Sequence, residues 1–435
     1  MRTRMHRAAV SLGLSVALTG LALAAQPQLP EGFNYDEAKV PAYTLPDALK
    51  LADGKRVTDA ATWKRARRPE LIKLYEENMY GRSAPAPTTG VRYVVRDNTP
   101  GALGGTATRR QVGILLTGRE DGPRIELLMY IPAKHAGNGK VPAFLGLNFS
   151  GNDTVNADPA ILPARRSPPK PGSQPPARGS GASSWPVDLI LSRGFALATA
   201  YYFDIEPDRD GARNEGVRGT FGVDGKVFAS ANAPVVPGEW GAIGAWAWGL
   251  SRALDYLATD ADIDAKKVAV MGHSRLGKAA VWAGAHDDRF AIVISAQSGE
   301  GGVAITRRQF GETIARINEH FPHWFCDRYK TYNGRENDLP VDAHELVALV
   351  APRPMYVSSA TEDLWSDPRG EFLAAVNAGP VYQLFGLTGL GVTEMPPPDK
   401  SVGQTIAYHN RTGRHSVVSA DWEHYLTFAS EHLGH

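Results

Sequence analysis

Cysteine is nearly absent: Cys326 is the single one in 435 residues. That excludes an internal disulfide and any cysteine-built metal cluster. Net charge is nearly absent too, since 47 Lys and Arg against 46 Asp and Glu leave +1. Such a balance argues against a nucleic-acid binder and against a polybasic membrane-surface protein. No internal repeat, heptad or collagen-like period is present. No phosphate loop or nucleotide fingerprint appears, and the spacing of His415 and His424 does not place them on one helical face as metal ligands. The sequence therefore implies no cofactor and no metal. Beyond the first 24 residues, no apolar run approaches the roughly 20 residues that span a bilayer.

What is present begins with a targeting pattern. Arg2, Arg4 and Arg7 precede an uncharged apolar stretch, Ala8 to Leu23, and Ala22-Leu23-Ala24 is a small-x-small cleavage signal followed by Gln26-Pro27. This is the pattern of a secretory signal peptide over residues 1–24. The expectation is an exported protein, periplasmic or secreted, with no membrane span and with residues 25–435 as one catalytic domain, monomeric. With 43% hydrophobic residues and no disulfide, its stability rests on a large core.

The rest alternates between strand and helix patterns. Residues 25–60 are Pro-rich and irregular, and Pro69 to Met79 reads as a short helix leading to Tyr80-Gly81. Val91–Val95, Arg110–Leu116 and Ile125–Ile131 are strand-like at antiparallel spacing. Val141–Phe149 and Gly194–Phe203 are nearly unbroken apolar runs, as expected of strands buried on both faces. Ile243, Ala247, Leu250, Leu254 and Leu257 mark an amphipathic helix. Strands are expected at Lys267–Met271, Phe290–Ser295 and Pro354–Ser359, a helix at Leu276–Ala285, and a loop over 386–406. Residues 165–185 are rich in Pro, Gly and Ser and read as a surface insertion, because the alternation resumes after them. The fold class expected is α/β: a three-layer sandwich with a mostly parallel central sheet and antiparallel strands at its N-terminal edge.

The chemistry centres on Ser274. A strand runs directly into Gly272-His273-Ser274-Arg275-Leu276-Gly277-Lys278 and a helix follows, which is the setting of a nucleophile elbow. The N–H of Arg275 then sits at a helix N-terminus, where backbone donors favour an oxyanion. The second glycine lies at 277, one place beyond its position in G-x-S-x-G. In such sheets the order is serine, acid, histidine. Among His409, His415, His424, His432 and His435, His415 is favoured because Thr412-Gly413-Arg414-His415-Ser416 reads as a loop. The acid is expected after the Pro354–Ser359 strand, in Thr361-Glu362-Asp363, with Asp363 leading and Glu362 its rival.

These residues carry a resemblance. Gly272 to Lys278 resembles the G-x-S-R-x-G-K signature of the glucuronoyl esterases, carbohydrate esterase family fifteen, of bacterial type within the α/β-hydrolases. Ser298-Gly299-Glu300-Gly301-Gly302, Arg307 to Glu312, Ala360 to Pro368 and His415 to Trp422 resemble further family segments. The resemblance implies cleavage of the ester joining (4-O-methyl)glucuronic acid on xylan to a lignin alcohol, so the partner is a glucuronoxylan or lignin–carbohydrate ester. It implies Ser274 as nucleophile, His415 as base, Arg275 as oxyanion donor, and Lys278, Glu312 and Trp365 as uronic-acid contacts.

Departures from that pattern bear on the acid. Many relatives keep a Glu just before Ser298-Gly299, and here that place holds Gln297, whose amide cannot balance an imidazolium. This strengthens Asp363, with Glu300 left as a further alternative. His273 stands where fungal relatives have Cys. Glu312 has an alternative reading as an ion-pair partner of Arg307 or Arg308. Trp246, Trp248 and Trp324 carry no assigned role. Two other functional readings stay open: an exported hydrolase for acetyl or feruloyl xylan, and a non-catalytic carbohydrate-binding protein that has kept the fold.

Overall fold

A computed structural model describes residues 29–133, 139–166 and 174–434. The predicted signal segment, part of the 165–185 insertion and His435 lie outside the described residues. The fold below is that of the unit Phe33–His435.

Its frame is a ten-stranded sheet: β1 Arg92–Gly101, β2 Ala107–Leu115, β3 Arg124–Pro132, β4 Val141–Asn148, β5 Ala196–Tyr201, β6 Ile263–His273, β7 Ile292–Ala296, β8 Met355–Ala360, β9 Val402–Gly403 and β10 Ile406–Arg411. The order across the sheet is β1-β2-β3-β5-β4-β6-β7-β8-β10-β9. The six strands from β5 to β10 in that order pair in parallel. β1, β2 and β3 are joined antiparallel and meet β5 antiparallel. The antiparallel strands expected from spacing are these three.

Alternation along the central strands explains the layers, because successive side chains point to opposite faces. In β6, Val268 and Val270 enter one apolar cluster, Ala269 and Met271 the other; in β4, Leu145 and Phe144 divide the same way. Helices α2 (Ala242–Leu257), α3 (Arg275–His286) and α4 (Pro368–Asn377) cover the first face, and α1 (Val187–Ser192) and α5 (Ser419–Leu433) the second.

Two expectations change. The predicted helix at 69–79 is α-helical only over Arg68–Tyr75 and continues as a wider π turn, Glu76–Tyr80. It stops at Gly81, φ 78°, where a Cβ would run into the carbonyl of Glu239. The stretch expected to be loop over 386–406 ends in edge strand β9, and β10 follows at once. β10 reads Ile-Ala-Tyr-His-Asn-Arg, yet every residue in it is buried, so a polar strand lies inside the sheet. The described end of the 165–185 segment packs on the body: Trp422 Nε1 donates to the Ser184 carbonyl at 2.9 Å, and Trp185 lies against the Trp422 ring.

Candidate active site

Ser274 occupies the turn between β6 and α3 at φ 58°, ψ −130°. A non-glycine residue in that region costs about 1–3 kcal/mol, and such strain gathers at functional sites. The neighbours hold it there. Ser274 N–H donates to Ala296 O of β7 at 2.9 Å, and its carbonyl accepts from Gly277 N–H at 2.8 Å and Lys278 N–H at 3.1 Å. A Cβ on Gly272 would collide with the Leu276 carbonyl. The displaced second glycine also has a reason: a Cβ on Gly277 would lie 3.1 Å from both Gly272 O and Ser298 Cβ, so its absence lets α3 press onto β6 and the loop after β7.

Two loops from neighbouring strands bring the histidine and the acid together. β8 ends at Ala360 and β10 at Arg411. The segments beyond are tied by Thr361 N–H to Arg411 O at 2.9 Å, Glu362 N–H to Gly413 O at 2.9 Å, and Gly413 N–H to Thr361 Oγ1 at 3.1 Å. Asp363 Oδ2 then lies 2.7 Å from His415 Nδ1. Asp363 is 5% exposed at its side chain, while the His415 side chain is 38% exposed. Glu362 points outward and pairs with Arg414 at 3.4 Å. Glu300 turns away altogether, accepting from Tyr329 Oη at 2.5 Å and Thr306 Oγ1 at 3.1 Å. The His273 ring, one residue before Ser274, lies 4.5 Å from the His415 ring. Burial first, and His415 next, push His273 well below its ordinary pKa, so it stays neutral.

The histidine loop is braced from below. Arg411 donates to the carbonyls of Thr412 at 2.9 Å, Arg414 at 2.8 Å and Ser416 at 2.8 Å. Buried Asp421 holds Arg411 at 3.0 Å, accepts from the Val418 N–H at 2.8 Å, and lies 2.8 Å from Nε2 of buried His409. His409 is thereby a scaffold residue of the polar strand β10, and the half-buried His424 ring lies tilted beside it, centroids 4.5 Å apart.

On the other side of Ser274 lies a strip of charge over one indole. Arg275 Cζ sits 4.7 Å from the Trp324 ring and Lys278 Nζ 5.7 Å from it. Arg275 Nη1 donates to Asp208 Oδ2 at 2.5 Å. Lys278 is buried and donates to Ser298 O at 2.5 Å. Burial pushes its ammonium down, opposed by Glu312; burial pushes the Glu312 carboxyl up, opposed by Lys278 and by a hydrogen bond from Trp365. Glu312 N–H also donates to Trp365 O at 3.0 Å. Glu312 therefore faces Lys278 and not the arginines: Arg307 pairs with Asp342 at 3.0 Å, and Arg308 with Asp367 at 2.7 Å and Glu37 at 2.6 Å. Trp365 stays half-buried, edge-on to Phe33. Trp246 is core, donating to Glu206 O at 2.9 Å. Trp248 is buried under Arg252. Trp324, given no role by the sequence, is the platform of this strip. Asp208 was not singled out either: it sits in the irregular stretch 206–210 that follows the helical turn Tyr202–Ile205, with no motif around it. Among the described residues, no three His, Cys, Asp or Glu side chains are grouped to hold a metal.

A strained serine on a strand–helix turn, with a histidine and a buried carboxylate at the same end of a parallel sheet, defines an α/β-hydrolase. The comparisons narrow this. The family described as "Glucuronyl esterase, fungi" matches residues 237–386. Carbohydrate esterase MZ0003, from an unknown prokaryotic organism, is 46% identical over 412 residues, 93% of each chain. The solved glucuronoyl esterase from Solibacter usitatus is 49% identical, with a TM-score of 0.84 over 90% of this chain and 99% of that one. A 4-O-methyl-glucuronoyl methylesterase of Wolfiporia cocos is 27% identical over 398 residues, 86% of this chain and 81% of the other. The chain belongs to the glucuronoyl esterases of carbohydrate esterase family 15, which are carboxylic ester hydrolases.

Proposed function

We propose that the protein is an exported serine esterase that cleaves esters of (4-O-methyl)glucuronic acid, as in lignin–xylan cross-links, through an acyl-enzyme. The observation that carries the mechanism is the 2.7 Å pairing of Asp363 with His415 Nδ1, beside the elbow that presents Ser274. The names of the relatives support the substrate class, and the Arg-rich start and apolar run of residues 1–24 support export.

Ser274 Oγ attacks the ester carbonyl carbon as His415 Nε2 takes its proton. Asp363 holds the ring by Nδ1 and balances the imidazolium charge. The oxyanion is met by the Arg275 N–H, at the first turn of a 12-residue helix, and by its guanidinium. His415 then protonates the leaving alcohol oxygen. The uronic acid stays esterified to Ser274 until water, deprotonated by His415, attacks the acyl carbon; the Oγ–acyl bond then breaks, His415 returns the proton to Ser274 Oγ, and the free acid leaves. Lys278, Glu312 and Trp365 receive the sugar: an ammonium and a carboxylate for paired hydroxyls, and an indole for the apolar ring face.

The test is hydrolysis of a benzyl glucuronate ester by the wild type and by Ser274→Ala. Loss of a triad member costs roughly 10⁴–10⁶ in turnover. A folded, active alanine variant overturns the mechanism. Equal efficiency on 4-nitrophenyl acetate and the glucuronate ester overturns the substrate class.

A further inference from the structure

Arg275 is not a free cation beside Ser274. Its partner Asp208, 67 residues earlier, is 4% exposed at its side chain. Oδ2 takes Arg275 Nη1 at 2.5 Å and Tyr202 Oη at 3.0 Å; Oδ1 takes Trp324 Nε1 at 2.7 Å and lies 2.9 Å from His323 Nε2. Both oxygens are thus saturated in two directions. Burial alone would raise this carboxyl, but the hydrogen bond from His323, the Arg275 charge and the hydrogen bond from Trp324 bring it down to about 2. It is ionised at any working pH.

The guanidinium plane is fixed as firmly as its charge. Trp324 lies 4.7 Å below it and Phe321 5.2 Å, and those two rings stack on each other at 3.8 Å and 5°. Trp324 serves twice, as the stacking surface for Arg275 and as a donor to the anion that holds it. The Arg275 side chain is still 28% exposed, while its Nε is buried without a partner. A rigid fork held this way presents donors to an oxygen without reorganising, which is what stabilising charge in a transition state requires.

From this geometry we infer that Asp208 is the positioning residue of the oxyanion site: it fixes the Arg275 guanidinium on Trp324 and aims it at the reacting ester. The inference rests on the reading of Arg275 given above. A consequence is that Arg275 acts through direction more than through net charge, because Asp208 already neutralises it. A lysine at 275 could not span the anion, the indole and the substrate at once.

The experiment is a double-mutant cycle on a glucuronate ester with Asp208→Asn, Arg275→Ala and the pair. Removing one oxyanion donor costs on the order of 10²–10³ in kcat. Asp208→Asn is expected to lower kcat by roughly tenfold to a hundredfold with KM within about threefold, because the contact is made in the transition state. In the Arg275→Ala background, Asp208→Asn should cost less than about threefold further, because residues that act as a unit do not add. Losses that multiply overturn the inference. If Arg275→Ala is fully active, the oxyanion reading itself fails; if Arg275→Ala is crippled while Asp208→Asn is unaffected, only the positioning role fails. Should Asp208→Asn not fold, guanidinium ion added to Arg275→Ala supplies the second measurement. Activity should recover, since the anion and the indole still form its seat, and no recovery at concentrations that leave the fold intact overturns the inference.

Discussion

The side-chain amide of Gln297 grips the backbone of Ser416 at both ends. Nε2 donates to Ser416 O at 2.9 Å, and Oε1 accepts Ser416 N–H at 2.8 Å. Oε1 also lies 3.3 Å from His273 Nε2. The residue after the histidine is thus pinned from the far side of the site, by a side chain whose own backbone stands at φ 48°.

Gln297→Glu should therefore weaken the site. A carboxylate can accept from Ser416 N–H, but it repels the Ser416 carbonyl and adds negative charge near His415. That charge favours the protonated imidazole, which is inactive as a base, so the acid limb of the kcat/KM profile should move to higher pH. A profile that superposes on the wild type overturns this account of the amide.

Asp363→Asn keeps the shape and removes the charge. Turnover should fall by roughly 10³–10⁴ with the melting temperature little changed. Glu362→Gln and Glu300→Gln should each stay within about threefold of wild type, since neither side chain reaches His415. Steady-state kinetics of the three variants decide it: a crippled Glu300→Gln would move the acid to the loop after β7.

Lys278→Ala separates sugar recognition from ester chemistry. On a glucuronate ester, kcat/KM should fall by on the order of 10²-fold, because hydroxyls built into the recognition lose their donor. On 4-nitrophenyl acetate, the loss should stay below about tenfold. Equal losses on both substrates would mean that Lys278 only supports the Ser298 carbonyl.

Glu300 and Glu371 carry carboxyls that burial, the largest cause in both, pushes up to about 8. Unfolded, a glutamate titrates near pH ~4.3. Between those values the folded chain keeps protons that the unfolded chain has released, so this contribution is complete below about pH 4 and is lost as the pH rises toward 8. Glu300→Gln removes one such titration. Its melting temperature should depend less steeply on pH between 5 and 8 than that of the wild type; parallel curves would contradict the assignment.

The elbow could be read because it is local: a β-run, a glycine, a serine and a helix follow one another within a few residues. His415 and Asp363 lie 52 positions apart, yet were within reach of reasoning, because parallel sheets gather the loops beyond their strands at one end. β10 escaped because its polar residues are balanced by Asp421 on a helix that follows, not by anything in the strand. Asp208 and Trp324 escaped for a similar reason. An irregular loop and a lone tryptophan carry no periodic signal, and their meaning arises only where the chain brings Arg275 between them. Glu362 turns outward because it sits in a tight turn closed by Asp363 N–H on Ala360 O at 3.1 Å, which the sequence did not mark, and the hold of Gln297 on Ser416 depends on a backbone conformation, φ 48°, that an amide-bearing residue seldom adopts.

Asp363 and His415 sit on segments stitched together, through Thr361, Glu362, Arg411 and Gly413, at the ends of the adjoining strands β8 and β10. Mechanically, those two segments behave as one plate. The spacing of Asp363 and His415 is therefore set by main-chain bonds between the two segments, and Gln297, bonded to Ser416 and 3.3 Å from His273, ties the same plate to the strand end that carries Ser274. Elbow, plate and the loop after β7 are thus cross-braced like the members of a truss, so that none of the three can shift without straining a bond to another.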